Sequence, residues 1–116
     1  MDYSTDYLSG FFDAKACINI YNKRDLRVYI PFSDQDVLNI FKEKFGGTVC
    51  KNGDQYLYQI VGNKAKNLIE AMLPGMRSNK VSVALAAIEY QKWRDCIGTY
   101  AQNAREQALK IIRQEH

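Results

Sequence analysis

Apolar positions along this chain switch between helical and strand spacing, and each switch falls at a polar, proline- or glycine-containing junction. From about Tyr3 to Asp13, the residues Tyr3, Tyr7, Leu8, Phe11 and Phe12 recur at helical spacing, with Asp2 or Ser4 as N-cap and Asp6 in the first turn. Ser9 and Gly10 interrupt these bulky side chains. A glycine inside a helix costs about 1 kcal/mol against alanine, which leaves two readings: a tolerated defect, or a position kept small because a second backbone approaches. The period then changes to two. Cys17 to Asn22 sets Ile18 and Ile20 against Asn19 and Tyr21, and Lys23-Arg24-Asp25 makes the turn. Leu26 to Phe32 sets Val28, Ile30 and Phe32 against Arg27 and Tyr29. Pro31 removes one ladder donor and belongs near a strand end or on an edge strand.

Ser33-Asp34-Gln35-Asp36 supplies a cap and first-turn acids for a second helix, in which Val37, Leu38, Phe41 and Phe45 repeat before Gly46-Gly47 stops it. Thr48 to Lys51, a tight Asn52-Gly53-Asp54 turn and Gln55 to Val61 predict a second hairpin. Its last strand places Tyr56, Tyr58 and Ile60 opposite Gln55, Leu57 and Gln59, whereas the pattern leaves the phase of Thr48 to Lys51 open. A third helix from Asn63 gathers Ala65, Leu68, Ile69, Met72 and Leu73 before Pro74. A fourth, from about Ser78 to Ile97, presents Val81, Leu85, Ile88 and Trp93, with Gly98 as its stop. Thr99 and Gln102 resemble a capping box for a final helix to about Gln114, striped by Ala101, Ala104, Ala108, Ile111 and Ile112.

Helix, hairpin, helix, hairpin, helices is an α+β order, predicting a four-stranded antiparallel sheet from two hairpins with helices on one face. The other face would carry Asn19, Tyr21, Lys23, Arg27, Tyr29, Gln55, Leu57 and Gln59. Such a set suits either a solvated sheet or a binding surface.

Composition narrows the chemistry more than the fold. The 116 residues, 47% of them hydrophobic, suffice for one domain spanning residues 1–116, with the helix at about 99–114 appended to it. A net charge of +3 permits a nucleic-acid partner without requiring one. Cys17, Cys50 and Cys96 form no C-x-x-C pair and predict reduced thiols in a soluble, cytoplasmic setting. His116 is the only histidine, which excludes a histidine-based nuclease centre or nucleophile triad. No apolar run approaches membrane-spanning length, and Asp2 stands where a basic leader segment would begin.

The run Leu8-Ser9-Gly10-Phe11-Phe12-Asp13-Ala14-Lys15-Ala16 resembles the LAGLIDADG motif of homing endonucleases. The resemblance extends in order through SDQDVL, FKEKFGGTV and LPGMRSNK, covering roughly Tyr7 to Glu89. It implies a LAGLIDADG homing-endonuclease-like fold whose sheet forms a DNA-facing saddle. A chain with a single motif would act as a homodimer on double-stranded DNA, with a palindromic or pseudo-palindromic site. Leu8, Ser9, Gly10, Phe12 and Asp13 would then form the dimer interface. Asn19, Tyr21, Lys23, Arg27, Tyr29, Gln55, Leu57 and Gln59 would bind DNA: the cations reach guanine or phosphate, and the amides reach adenine edges.

Two adjacent positions depart from the motif. Lys15 stands where the family has its metal-binding acid, and Ala16 where it has a glycine. A hydrolytic Mg²⁺ centre needs carboxylate oxygens, and a lysine supplies none. The expectation is therefore a DNA-binding protein derived from a homing endonuclease, without nuclease activity and acting as a regulator, in which Lys15 grips phosphate in place of the metal. Asp13 either rescues a metal site or makes local hydrogen bonds. Lys80 is either a basic residue lining the site or an exposed lysine at a helix start. No cofactor is expected, Mg²⁺ being needed only if nuclease activity is retained. The alternatives are an active metal-dependent homing endonuclease, or an inactivated variant of one, and a scaffold repurposed to bind a protein or a small anionic ligand. Trp93 is expected in core or interface packing.

Overall fold

The computed structural model describes residues 4–21, 25–78 and 80–114. Their order is α1 (Thr5–Lys15), β1 (Cys17–Tyr21), β2 (Asp25–Phe32), α2 (Gln35–Phe45), β3 (Thr48–Asn52) and β4 (Gln55–Val61). Then follow α3 (Gly62–Met72), a 3-10 turn at Leu73–Gly75, α4 (Lys80–Trp93) and α5 (Thr99–Gln114). The strands form one antiparallel sheet in the order β1-β2-β4-β3. The two hairpins thus join through their second strands. Tyr3, the Lys23-Arg24 part of the first turn and His116 lie outside the described residues.

Local chemistry sets the boundaries. The Ser4 hydroxyl accepts the Tyr7 N–H at 3.1 Å, and the Asp34 carboxylate accepts the Asp36 N–H at 2.9 Å, so both helices start on capped amides. Helix α1 continues past Asp13 through Lys15 and passes into β1 across one residue, Ala16. That residue is extended and fully buried, and its N–H still bonds the Phe12 carbonyl at 2.8 Å. Helix α2 ends on Gly46 and Gly47, with φ of 88° and 94°, a region that strongly favours glycine. A Cβ on Gly47 would lie 2.6 Å from the Gln59 carbonyl oxygen. The Tyr58 hydroxyl donates to the Gly46 carbonyl at 2.6 Å, and burial pushes this phenol well above its usual range.

The core lies between the sheet and its helices. Ile18, Leu26, Val28, Ile30, Tyr58 and Ile60 from the strands meet Leu8, Phe12, Leu38, Phe41, Leu68, Ile69 and Met72 from α1, α2 and α3, all buried. The apolar positions read at period two therefore face inward. Strand β3 resolves the phase its sequence left open: Thr48, Cys50 and Asn52 pair with Gln59, Leu57 and Gln55 on the outer face, while Val49 pairs with buried Tyr58.

Helix α4 differs from its predicted form. Val83, Ala84, Ala86, Ala87, Tyr90 and Gln91 are its buried residues, whereas Leu85 is half exposed and Val81 and Ile88 are only partly buried. Because α4 lies between α5 and the α3–sheet body, it is covered on two sides and shows no single stripe. It also stops at Trp93 rather than Ile97, since the Arg105 side chain on α5 donates to the Trp93 and Cys96 carbonyls and satisfies the helix end. Ile97 is left 99% exposed. Trp93 is half buried, edge-on to Tyr100 at 5.0 Å, with its Nε1 donating to Glu89 at 3.0 Å. Along α5, Ala101, Ala108 and Ile112 are buried, but Ile111 is exposed. Among the described residues, no helix is long and apolar enough to cross a membrane.

Candidate nucleic-acid interface

The outer face of the sheet collects the residues expected there. Asn19, Tyr21, Arg27, Tyr29, Leu57 and Gln59 are half-buried and Gln55 is exposed, while Lys23 lies outside the described residues. Strand pairing arranges them in rows. Cys17, Tyr29, Gln59 and Thr48 cross all four strands; Asn19, Arg27 and Val61 form the next row, and Pro31, Leu57 and Cys50 lie on the other side. Cys17, Thr48, Cys50, Asn52 and Val61 were not anticipated on this face. In β3 the cause is a short strand with Val49 as its sole large aliphatic residue, too little to fix a period from sequence.

The β1–β2 half of the face is cross-braced. Tyr21 meets Tyr29 edge-on at 5.7 Å, and the Arg27 guanidinium lies 4.8 Å above the Tyr21 ring. A hydrogen bond with Tyr29, aided by burial, holds the Tyr21 phenol above its ordinary value. Arg27 Nε is buried without a hydrogen-bond partner among the described residues. Asn19 spends its Oδ1 on the Ile20 N–H at 2.8 Å, which leaves its amide NH₂ as the half not used in that bond.

The C-terminal end of α1 opens beside the Cys17 row, because only Ala16 separates Lys15 from that strand. Lys15 is exposed there. Asp13 is tied across the fold: one carboxylate oxygen accepts the Arg77 and Ser78 N–H groups at 2.9 and 3.0 Å, and the other accepts the Ser78 hydroxyl. Partial burial raises the Asp13 pKa, but these hydrogen bonds and the nearby Lys80 charge outweigh it and hold the carboxyl below its ordinary value. Asp13 makes hydrogen bonds, as one of its two readings expects, but they reach far along the chain rather than locally. Lys80, half-buried, starts α4 with its N–H on the Ser78 hydroxyl at 3.1 Å.

These groups do not fit a Mg²⁺ ion. Lys15 offers no oxygen, both Asp13 oxygens are engaged by donors, and the described residues contain no group of three or more His, Cys, Asp or Glu arranged to hold a metal.

The expected dimer face divides in two. Leu8, Ser9 and Phe12 are 1%, 2% and 0% exposed, so they are consumed by the chain's own core and offer no surface to a partner. Ser9 is small for an internal reason: a Cβ on Gly75 would lie 2.4 Å from the Ser9 Cβ, and the Ser9 hydroxyl points to the Met72 sulfur at 3.8 Å. Asp6, Tyr7, Gly10, Ala14 and Lys15 are the exposed residues of α1, with Phe11 and Asp13 partly so. A Cβ on Gly10 would meet nothing within 4 Å. The helical pattern marked the apolar residues but not which of them this chain covers by itself.

No family model and no curated protein matches this chain. Solved structures do match. The homing endonuclease I-CvuI in complex with its target is 21% identical and superposes with a TM-score of 0.72 over 95% of this chain and 78% of its own. The homing endonuclease I-TnaI is 20% identical, with a TM-score of 0.74 over 98% and 88%. An archaeal intron-encoded homing endonuclease complexed with DNA is 18% identical, with a TM-score of 0.76 over 97% and 83%. The LAGLIDADG meganuclease I-AabMI, bound to uncleaved DNA, is longer: the match spans 92% of this chain and 44% of that one, at 18% identity and a TM-score of 0.73. The α+β architecture of this chain is therefore that of the LAGLIDADG homing endonucleases.

Proposed function

We propose that two copies of this chain bind double-stranded DNA at a palindromic or pseudo-palindromic site and do not cut it. The observation that carries this reading lies at the end of α1, where Lys15 is exposed beside the open sheet face while Asp13 is engaged by Arg77 and Ser78. A duplex on the sheet brings phosphate toward that ammonium group, which holds it by charge and activates no water. The face is four strands wide, about 14 Å at a spacing of about 4.8 Å. Its amide, hydroxyl and guanidinium groups match base-edge donors and acceptors. DNA complexes among the structural relatives, and longer relatives with room for a second such unit, support the duplex and the pairing of two copies.

Dimerisation runs through Tyr7, Gly10 and Ala14 in this reading, since these are the uncharged α1 residues that are exposed, spaced three and four apart along one side of the helix. Such a protein acts as a regulator by occupying its site. The test is selection of bound duplexes from a random pool, with and without Mg²⁺. Recovery of a site with two related halves, left intact by Mg²⁺, is expected. Efficient strand scission of that duplex by the unaltered chain would sink the proposal.

A further inference from the structure

Beside the N-terminus of α3 lies a cleft of about 330 Å³ lined by Asp25, Leu26, Arg27, Val61, Gly62 and Arg94. It borders the open face, because Arg27 and Val61 are register partners on that face. Its contents are unusual for a surface dimple. Two guanidiniums and one carboxylate line the cleft; Arg94 is shared between two carboxylates, with Nη2 3.3 Å from Asp25 Oδ1 and Nη1 3.5 Å from Asp95 Oδ2, so Arg27 is the guanidinium of the lining without an ion-pair partner among the described residues. Arg27 Nε is buried without a hydrogen-bond partner among the described residues. A buried donor left unpaired is costly, and turning the guanidinium so that Nε and an Nη share one oxyanion removes the defect.

Helix α3 adds donors from the other side. It starts after Val61 with no side-chain cap and no acidic residue in its first turn. Its first N–H groups have no intrahelical acceptor, and the helix field at that end favours an anion. Asn63, the nearest candidate for a side-chain cap, instead accepts from Gln91 Nε2 at 2.9 Å.

We propose that this cleft binds a phosphate group between Arg27, Arg94 and the first N–H groups of α3. Arg94 stays paired with Asp25 and Asp95 and forms one wall, while Arg27, whose charge no ion pair in the described residues offsets, closes on the anion. In the DNA complex proposed above, whose existence this clause rests on, the occupant is a backbone phosphodiester flanking the sheet. A free phosphate monoester has the same chemistry and is the other source.

The two sources separate in one set of measurements. Inorganic phosphate, titrated at constant ionic strength against chloride, should shift the Gly62 and Asn63 amide signals and the Arg27 Nε–H signal saturably in ¹H–¹⁵N spectra. Asn63→Asp puts a carboxylate in the first turn, keeps an oxygen for Gln91 and suits the helix field. It should leave the melting temperature unchanged or higher while weakening phosphate about tenfold or more. Arg27→Gln should weaken phosphate similarly. With the selected duplex, replacing single phosphates by methylphosphonates should identify a position whose neutralisation weakens the native protein but no longer matters in Asn63→Asp, and that variant should lower the log–log salt slope by about 0.9 per subunit. Phosphate-specific shifts with no sensitive duplex position assign the cleft to a free monoester. Absence of any duplex binding defeats the DNA reading and leaves the phosphate result standing. If phosphate produces no more shift than chloride in the native chain, the site does not exist.

Discussion

Gly10 offers a substitution whose effects on folding and on assembly have opposite signs. It is an interior residue of α1 with ordinary helical geometry, it is exposed, and an added Cβ meets nothing within 4 Å. Within the single chain, Gly10→Ala therefore removes backbone entropy from the unfolded state without a steric cost, a gain of about 0.5–1 kcal/mol. If two α1 helices pack along Tyr7, Gly10 and Ala14, each new methyl enters a close contact. Overpacking of this kind costs about 1–3 kcal/mol per site, and the dimer contains the site twice, so about 2–6 kcal/mol is at stake. That raises the dimer dissociation constant about thirtyfold or more, since about 1.4 kcal/mol is a factor of ten. Urea denaturation at concentrations where the chain is monomeric gives the first number, and sedimentation equilibrium gives the second. A variant that is more stable as a monomer and dimerises as tightly as the native chain refutes the seam. A variant that is less stable as a monomer refutes the placement of Gly10 on the open side of the helix.

Other outcomes follow from contacts around the same helix. Gly75→Ala forces a Cβ to 2.4 Å from that of Ser9, so it should destabilise by about 1–3 kcal/mol, and Ser9→Gly should recover part of the loss in a double-mutant cycle measured by urea unfolding. Asp13 has a folded-state pKa below its unfolded value, so its stabilisation is present above the unfolded pKa and is lost as pH falls through the folded one; Asp13→Asn should flatten the acid limb of stability against pH. At neutral pH the same variant should cost about 1 kcal/mol, in line with losing a helix cap, when followed by thermal or urea unfolding. Lys15→Glu should weaken duplex binding without metal and reduce the log–log salt slope by about 0.9 per subunit; an unchanged slope would mean that Lys15 does not touch phosphate.

Much of the architecture was legible before the fold was known, because alternation and helical spacing report which side of an element is apolar. Val28 and Ile30 against Arg27 and Tyr29, or Val37, Leu38 and Phe41 behind an Asp34 cap, carry their own orientation. Helix α4 did not, because burial on two sides replaces a stripe with scattered small residues such as Ala84 and Ala87. Strand β3 did not, because its phase comes from the β4 ladder rather than from its own side chains.

The candidate site divides along the same line. A lysine at position 15, and the amide, aromatic and cationic outer face, are properties of single residues and of period two, so the chain order states them. What became of Asp13 was decided by Arg77 and Ser78, brought to it from far along the chain by the turn after α3. Which α1 residues remain for a partner was decided in the same way: the sheet, α3 and the Leu73–Gly75 turn cover Leu8, Ser9 and Phe12, and they leave Tyr7, Gly10 and Ala14 outside. A residue's chemistry is written locally. Its availability is a matter of what packs over it, and for this helix only the tertiary structure supplied those neighbours.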